Sequence, residues 1–256
     1  MSEKNPSVKP EYKYPRRRLI RAICKILSYP AFGLLSNLEI RGEENLPSKG
    51  PFLVIGNHFS FIDPAAVIRV AKWPIEYVGG ADPPHAPNIV KFIPWLWGFY
   101  PLYRGTGARD ALKAAEVILK QEGILGIFPE GGSWAEVLRP ARPGTAFLAA
   151  RTGVRILPIG LFGFNDIFPV TLGKRAKATI NIGKPFGPFK VTGKGRERRE
   201  QLDKIGHEIM HRIAALLPQE KRGFYSDDPA IREAARGTEI YPWADKVEGE
   251  VVGEVH

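Results

Sequence analysis

Phe52-Leu53-Val54-Ile55-Gly56-Asn57-His58-Phe59-Ser60-Phe61-Ile62-Asp63-Pro64 is the stretch on which the reading of this chain turns. Residues 52–55 are wholly apolar and read as a strand buried on both faces, and residues 64–72 read as a short helix. Between them lie a histidine and an aspartate, five positions apart. On a continuous helix that spacing would set the side chains about 140° apart, so they can meet only across a turn. Asp63-Pro64 suits the end of such a turn, with Asp63 as helix N-cap and Pro64 as the first helical residue. The carboxylate then points back at the imidazole. Ligands in open α/β sheets gather at the carboxyl ends of strands, so this pair is a candidate site.

Strands and helices alternate outward from this segment. Residues 38–41, 76–78, 124–128, 156–161 and 178–182 read as strands. Residues 108–121, 145–151 and about 196–217 read as helices. The alternation predicts a single α/β domain with a mixed, largely parallel sheet flanked by helices, over residues 38–224. Residues 1–14 are polar and proline-containing and read as disordered. Arg16, Arg17, Arg18, Arg21 and Lys25 follow, with Leu19, Ile20, Ile23, Ile26 and Leu27 recurring at helical spacing. Residues 1–37 are therefore expected to end in a basic amphipathic helix that associates with a membrane. Residues 225–256, with eight acids against three bases, read as an acidic tail.

The 256 residues carry a net charge of +10 and an isoelectric point near 9.7. Such a balance suits nucleic acid or an anionic membrane surface. The chain holds no recognised nucleic-acid module, and its basic cluster lies among apolar residues, so an anionic membrane is the expected partner and nucleic acid is not. One cysteine, Cys24, leaves no internal disulfide framework and no cysteine-rich metal site. No secretory signal is read at the N-terminus. The longest charge-free stretch near it, residues 26–38, has 13 residues, whereas a spanning helix needs roughly 20. The expected location is peripheral, on the cytoplasmic face of a membrane.

An imidazole titrating near neutrality can accept a proton from a hydroxyl, and a carboxylate on its other nitrogen fixes the tautomer and stabilises the imidazolium. With no serine or cysteine nucleophile in the pattern, the hydroxyl to be activated belongs to a substrate. The plainer alternative makes Asp63 a helix cap and His58 an ordinary loop residue.

Further segments carry a resemblance. Gly42-Glu43-Glu44-Asn45-Leu46-Pro47, Gly50-Pro51-Phe52-Leu53-Val54, and Asn57-His58 with Asp63-Pro64 are followed by Tyr103-Arg104-Gly105, Phe128-Pro129-Glu130-Gly131 and Ile156-Leu157-Pro158-Ile159-Gly160. In this order they resemble the four motifs of the glycerolipid acyltransferase family, the group that contains bacterial 1-acyl-glycerol-3-phosphate acyltransferase. The resemblance covers about residues 38–165. It implies that His58 deprotonates the acceptor hydroxyl and that Asp63 orients His58. It further implies that Arg104 holds a phosphate and that Glu130 and Gly131 shape the acceptor pocket. The implied reaction moves a fatty acyl group from acyl-CoA or acyl-carrier protein to a lysophospholipid, with 1-acyl-glycerol-3-phosphate, giving phosphatidate, as the leading acceptor. Glycerol-3-phosphate, a lyso-aminolipid or a glycolipid are alternatives. No cofactor, metal or covalent acyl-enzyme is implied. The family's third motif usually continues with Thr or Ser and then Arg; here Gly132-Ser133-Trp134 stands instead, with Arg139 and Arg142 as candidate replacements.

Two other patterns are set aside. His207-Glu208-Ile209-Met210-His211 matches a zinc-protease motif, but both histidines fall opposite the apolar stripe of their helix and are expected to face solvent. Gly131-Gly132-Ser133-Trp134-Ala135 approaches a hydrolase nucleophile elbow but has Ala135 where glycine is required. A non-catalytic basic protein that binds lipid or nucleic acid remains the alternative from a different class.

Overall fold

The computed structural model describes residues 12–80, 92–102, 108–170, 173–240 and 242. Among the described residues seven strands form one sheet: β1 (Ser36–Arg41), β2 (Phe52–Gly56), β3 (Glu76–Gly80), β4 (Tyr100–Leu102), β5 (Ile124–Ile127), β6 (Arg155–Phe162) and β7 (Ala176–Ile182). They lie in the order β1-β7-β6-β2-β5-β3-β4. Every adjacent pair is parallel except β6 with β7, so β1 and β7 run against the other five. This is the mixed, largely parallel α/β sheet that the alternation predicts.

β2 lies at the centre and is buried along its whole length, for the reason its sequence suggested: both faces are covered. Leu53 and Ile55 pack with α4 (Ala108–Lys120), α5 (Pro143–Thr152) and α6 (Gly195–Ala214), through Ile118, Leu148, Ile209 and Ile213. Phe52 and Val54 face the opposite layer, built from α1 (Arg18–Leu35) and α2 (Asp63–Val70), through Phe32, Val67 and Val70. Each fully buried aliphatic side chain of this kind contributes roughly 1.5–3 kcal/mol of transfer free energy. Next to β2, Tyr77 of β3 lies across Gly126 of β5, where an added Cβ would come 2.4 Å from the tyrosine ring. A side chain at 126 would therefore displace Tyr77.

The N-terminal helix forms as its periodicity predicts, but most of the basic residues in and just before it engage the protein, with Arg18 left exposed. Arg21 is 3% exposed and grips Glu76 with both terminal nitrogens, at 2.5 and 2.8 Å. Its Nε donates to the Trp97 carbonyl at 3.0 Å. Arg16 reaches the same carboxylate at 2.7 Å, Arg17 donates to the Trp95 and Leu96 carbonyls, and the Lys25 ammonium donates to the Ala71 carbonyl. The apolar residues are left outside, with Leu19 74% and Ile26 67% exposed. A short helix, α3 (Phe92–Trp97), packs beside α1 and adds exposed Phe92 and Trp95 to the same region. The aromatic residues of this stretch divide: Phe92 and Trp95 are exposed, whereas Trp97 and Tyr100 are core.

The chain becomes ordered earlier than its composition suggests. Tyr12 packs edge-on against Tyr100, and the Tyr14 hydroxyl donates to the Pro74 carbonyl at 2.6 Å. Aromatic rings anchor these residues in spite of the polar surroundings. Toward the other end, Tyr225 is buried and α7 (Pro229–Ala235) packs against residues 223–225, so the acidic segment begins as folded chain. Residues 1–11 and 243–256 lie outside the described residues.

Breaking a buried ion pair from one side strands its partner and costs about 3–5 kcal/mol. Glu76→Ala is expected to lower unfolding free energy by that amount. Glu39→Ala removes an exposed pair with Arg41 and should cost under about 1 kcal/mol. Urea denaturation followed by tryptophan fluorescence measures both; equal losses would contradict the anchoring role of Glu76.

Candidate active site

Strands β6, β2 and β5 are neighbours and parallel, so their carboxyl ends lie at one edge of the sheet. Three loops therefore converge there: residues 57–62 after β2, 128–132 after β5 and 163–164 after β6. Asn57 fastens the first to the end of β6. It is fully buried, donates from Nδ2 to the Leu161 carbonyl and accepts from the Leu161 N–H, each at 2.7 Å. Sequence reading quoted Asn57 without giving it a role; an amide at the end of a buried apolar strand was the available signal.

His58 and Asp63 meet as the spacing required. His58 Nδ1 lies 3.0 Å from Asp63 Oδ2, and the same oxygen accepts the Phe59 and Ser60 N–H groups at 2.7 Å each. Asp63 is not the N-cap of α2, however. It is the first helical residue, Ile62 occupies the cap position, and Pro64 follows inside the first turn. The loop backbone outcompetes the helix for the carboxylate, because the turn from Ser60 to Asp63 brings two N–H groups onto one oxygen. Asp63 is 1% exposed, and its Oδ1 is buried without a hydrogen-bond partner. Burial lifts its carboxyl above the usual range, against the donors that favour the charged form.

The imidazole is oriented by stacking as well. Its ring lies 4.4 Å from that of Phe128, which in turn lies parallel to Tyr77 at 6.1 Å. The Tyr77 hydroxyl donates to the Pro64 carbonyl at 2.9 Å, which ties the stack to the start of α2. With Nδ1 held by Asp63, Nε2 is the nitrogen left for a substrate. The loop's own hydroxyl, Ser60, is 4% exposed and its Oγ faces the Ile62 N–H at 3.4 Å.

Glu130 enters the site from behind. It is 1% exposed, and its Oε1 accepts the His58 backbone N–H at 2.7 Å. Its Oε2 accepts from Arg139 Nε at 3.0 Å and from the Arg139 N–H at 3.2 Å. Gly131 follows at φ 77°, a left-handed conformation that a glycine adopts without strain. A Cβ there would also lie 3.3 Å from Arg142 Cγ. The two candidate replacement arginines separate: Arg139 is buried on Glu130, and Arg142 is exposed. Arg104 lies outside the described residues, two positions past the end of β4. Gly144 sits within the first turn of α5 with open space around it, an ordinary helical position.

The histidines of the zinc-like motif lie on α6 and are exposed. His207 Nδ1 is 3.1 Å from the Tyr225 hydroxyl, and His211 meets the same ring edge-on. Among the described residues no group of three His, Cys, Asp or Glu side chains could hold a metal ion.

Burial pushes Glu130 up to about 7 and pulls Arg139 down, so desolvation works against this pair from both sides. All donors facing Glu130 are N–H groups, which favour the carboxylate. Between pH ~4.5 and ~7 the unfolded chain ionises this residue while the folded chain keeps its proton. Stability from this group is therefore full below the unfolded value and is lost as pH rises through about 7. The Glu130→Gln protein should show a flatter fall in unfolding free energy across that window than the parent. Denaturation series at several pH values measure this; identical slopes would contradict it.

A family model described as Acyltransferase matches residues 37–161, which include His58, Asp63, Arg104, Glu130 and Gly131. The chloroplastic 1-acyl-sn-glycerol-3-phosphate acyltransferase LPAT1 of Arabidopsis thaliana is 29% identical over 197 residues, covering 73% of this chain and 54% of that protein. The 1-acyl-sn-glycerol-3-phosphate acyltransferase of Borreliella burgdorferi is 29% identical over 154 residues, covering 59% and 60%. The chain thus spans between about half and three-fifths of these relatives' lengths. The crystal structure of the 1-acyl-sn-glycerophosphate acyltransferase PlsC from Thermotoga maritima shares the fold, with a TM-score of 0.51 at 22% identity over 77% of this chain and 82% of that one. His58, Asp63, Glu130 and Gly131 meet at one edge of this sheet, and the family model and these relatives support reading the chain as a PlsC-type glycerolipid acyltransferase.

Proposed function

We propose that the protein transfers a fatty acyl group from acyl-CoA or acyl-carrier protein to the free hydroxyl of 1-acyl-glycerol-3-phosphate, giving phosphatidate. The observation that carries this reading is the His58–Asp63 pair, aimed by a buried carboxylate and bordered by no available chain nucleophile in its loop. His58 Nε2 takes the proton of the acceptor hydroxyl as its oxygen attacks the thioester carbonyl. Asp63 stabilises the imidazolium that results. Collapse of the tetrahedral intermediate breaks the carbon–sulfur bond, and the imidazolium returns its proton to the departing thiolate. The acceptor follows the names of the relatives, which are 1-acyl-sn-glycerol-3-phosphate acyltransferases. Arg104 is assigned to the acceptor's phosphate, for which a guanidinium fork is suited. Glu130 and Gly131 shape the wall behind His58.

Peripheral association with a membrane, on its cytoplasmic face, belongs to the same reading. No described helix is long and apolar enough to cross a membrane. The outward apolar face of α1, with Phe92 and Trp95 of α3, is suited to lie in a bilayer interface, bringing the enzyme to lipid substrates. Basic residues assist less than the sequence suggested, since Arg16, Arg17, Arg21 and Lys25 are engaged within the protein.

Purified protein, palmitoyl-CoA or palmitoyl-carrier protein, and lysophosphatidate in mixed micelles test the reaction. Phosphatidate should form, and His58→Ala should slow it by about 10²–10⁴-fold. A folded parent protein that makes no phosphatidate with either donor would overturn the acceptor assignment. For the interface, a protein carrying Ile23→Asp and Leu27→Asp should bind phosphatidylglycerol-containing vesicles at least about tenfold more weakly in sedimentation. Unchanged binding would remove α1 from the interface.

A further inference from the structure

Arg139 is 1% exposed and lies nine positions beyond Glu130, in an irregular loop outside the quoted motif. Its Nη1 is buried without a hydrogen-bond partner, and its other contacts converge on the loop that supports His58. Its backbone N–H and Nε both donate to Glu130 Oε2, and its Nη2 donates to the Gly132 carbonyl. One side chain thus holds both ends of the Glu130–Gly132 turn. The flat face of the guanidinium rests 3.9 Å from the Trp134 ring centre, and the Trp134 indole N–H donates to the Thr238 carbonyl at 2.8 Å. Arg139 is therefore clamped from outside by an aromatic ring that the C-terminal segment holds in place.

The opposite oxygen of Glu130 accepts the His58 backbone N–H. A continuous chain of contacts therefore runs from Trp134 through Arg139 and Glu130 to the backbone of His58. Asp63 fixes the imidazole through Nδ1 and fixes the backbone of the next two residues, but the N–H of His58 itself is left to Glu130. The orientation of Nε2 depends on both anchors. A displacement on the order of 1 Å can cost about a hundredfold in rate, so the second anchor bears on turnover.

We infer that Arg139 is a positioning residue of the acyl transfer: it holds the Glu130 carboxylate against the His58 N–H and thereby aims the imidazole. The inference rests on the reaction proposed above for its kinetic consequence, and on geometry alone for the coupling between Arg139 and His58. Lysine is not an equivalent replacement. It supplies a point charge, whereas Nε and Nη2 here serve two different acceptors in one plane.

Arg139→Lys and Arg139→Met test it, with melting temperatures measured alongside. The expected order of kcat is parent, then Lys, then Met, falling at least about thirtyfold at Met, with KM for both substrates within about twofold. A second readout needs no turnover. The His58 backbone amide, followed by proton–nitrogen NMR against pH, should report ionisation of Glu130. Its midpoint should move upward in the Lys protein and further in the Met protein, because the cation beside the carboxylate is weakened and then removed. If the Met protein does not fold, the Lys protein decides both readouts. Folded variants with an unchanged amide midpoint, or with kcat unchanged while the melting temperature falls, would reduce Arg139 to a structural residue and overturn the inference. A parent protein inactive on every acceptor, with a midpoint that still moves, would sink the proposed reaction and leave the coupling standing.

Discussion

A carboxylate removed from water has to be met by donors, and three of them organise this protein around its site. Glu76, Asp63 and Glu130 are each at most 1% exposed. Glu76 receives Arg21 and Arg16 and fastens the N-terminal helix to the sheet. Asp63 receives the imidazole and two backbone N–H groups and folds the loop after β2. Glu130 receives the same loop from the other side and Arg139 from below. Replacing such pairs by apolar residues is often neutral or stabilising, so their value here is in fixing geometry.

The sheet explains why these groups meet. Parallel neighbours β6, β2 and β5 deliver three loops to one edge, and their apolar interiors leave the loops to supply the polar chemistry. Aromatic stacking from Tyr77 through Phe128 to His58 then carries rigidity from the sheet into the site. The N-terminal helix solves a different problem with the same means. Arg21 and Lys25 serve as anchors, and its apolar face is left outward, the face proposed above for a lipid surface.

Much of this was legible in the chain. Apolar runs marked β2, β5 and β6, and the five-residue spacing of His58 and Asp63 demanded a turn. The helical spacing of residues 19–27 was also clear, but not which face would turn inward. That depended on Glu76, a charge at the start of a buried strand some fifty residues away, whose partner the pattern did not name. The Glu130–Arg139 pair was hidden for a similar reason, since an irregular loop gives no period from which to predict contact. Asp63 looked like a helix cap because Asp-Pro is a common helix start, and the competing backbone donors of residues 59 and 60 appear only once the turn is built. β4 and α3 escaped because three- and six-residue elements leave too little pattern.

The central claim is direct acyl transfer to a lipid hydroxyl, driven by His58 with no acyl group resting on the protein. Rapid-quench analysis with radiolabelled palmitoyl-CoA and lysophosphatidate tests it in one experiment. The account predicts that label passes from donor to phosphatidate without accumulating on the chain, and that donor consumption requires the acceptor. Label retained on denatured protein, or palmitate released at the same rate with and without lysophosphatidate, would contradict it.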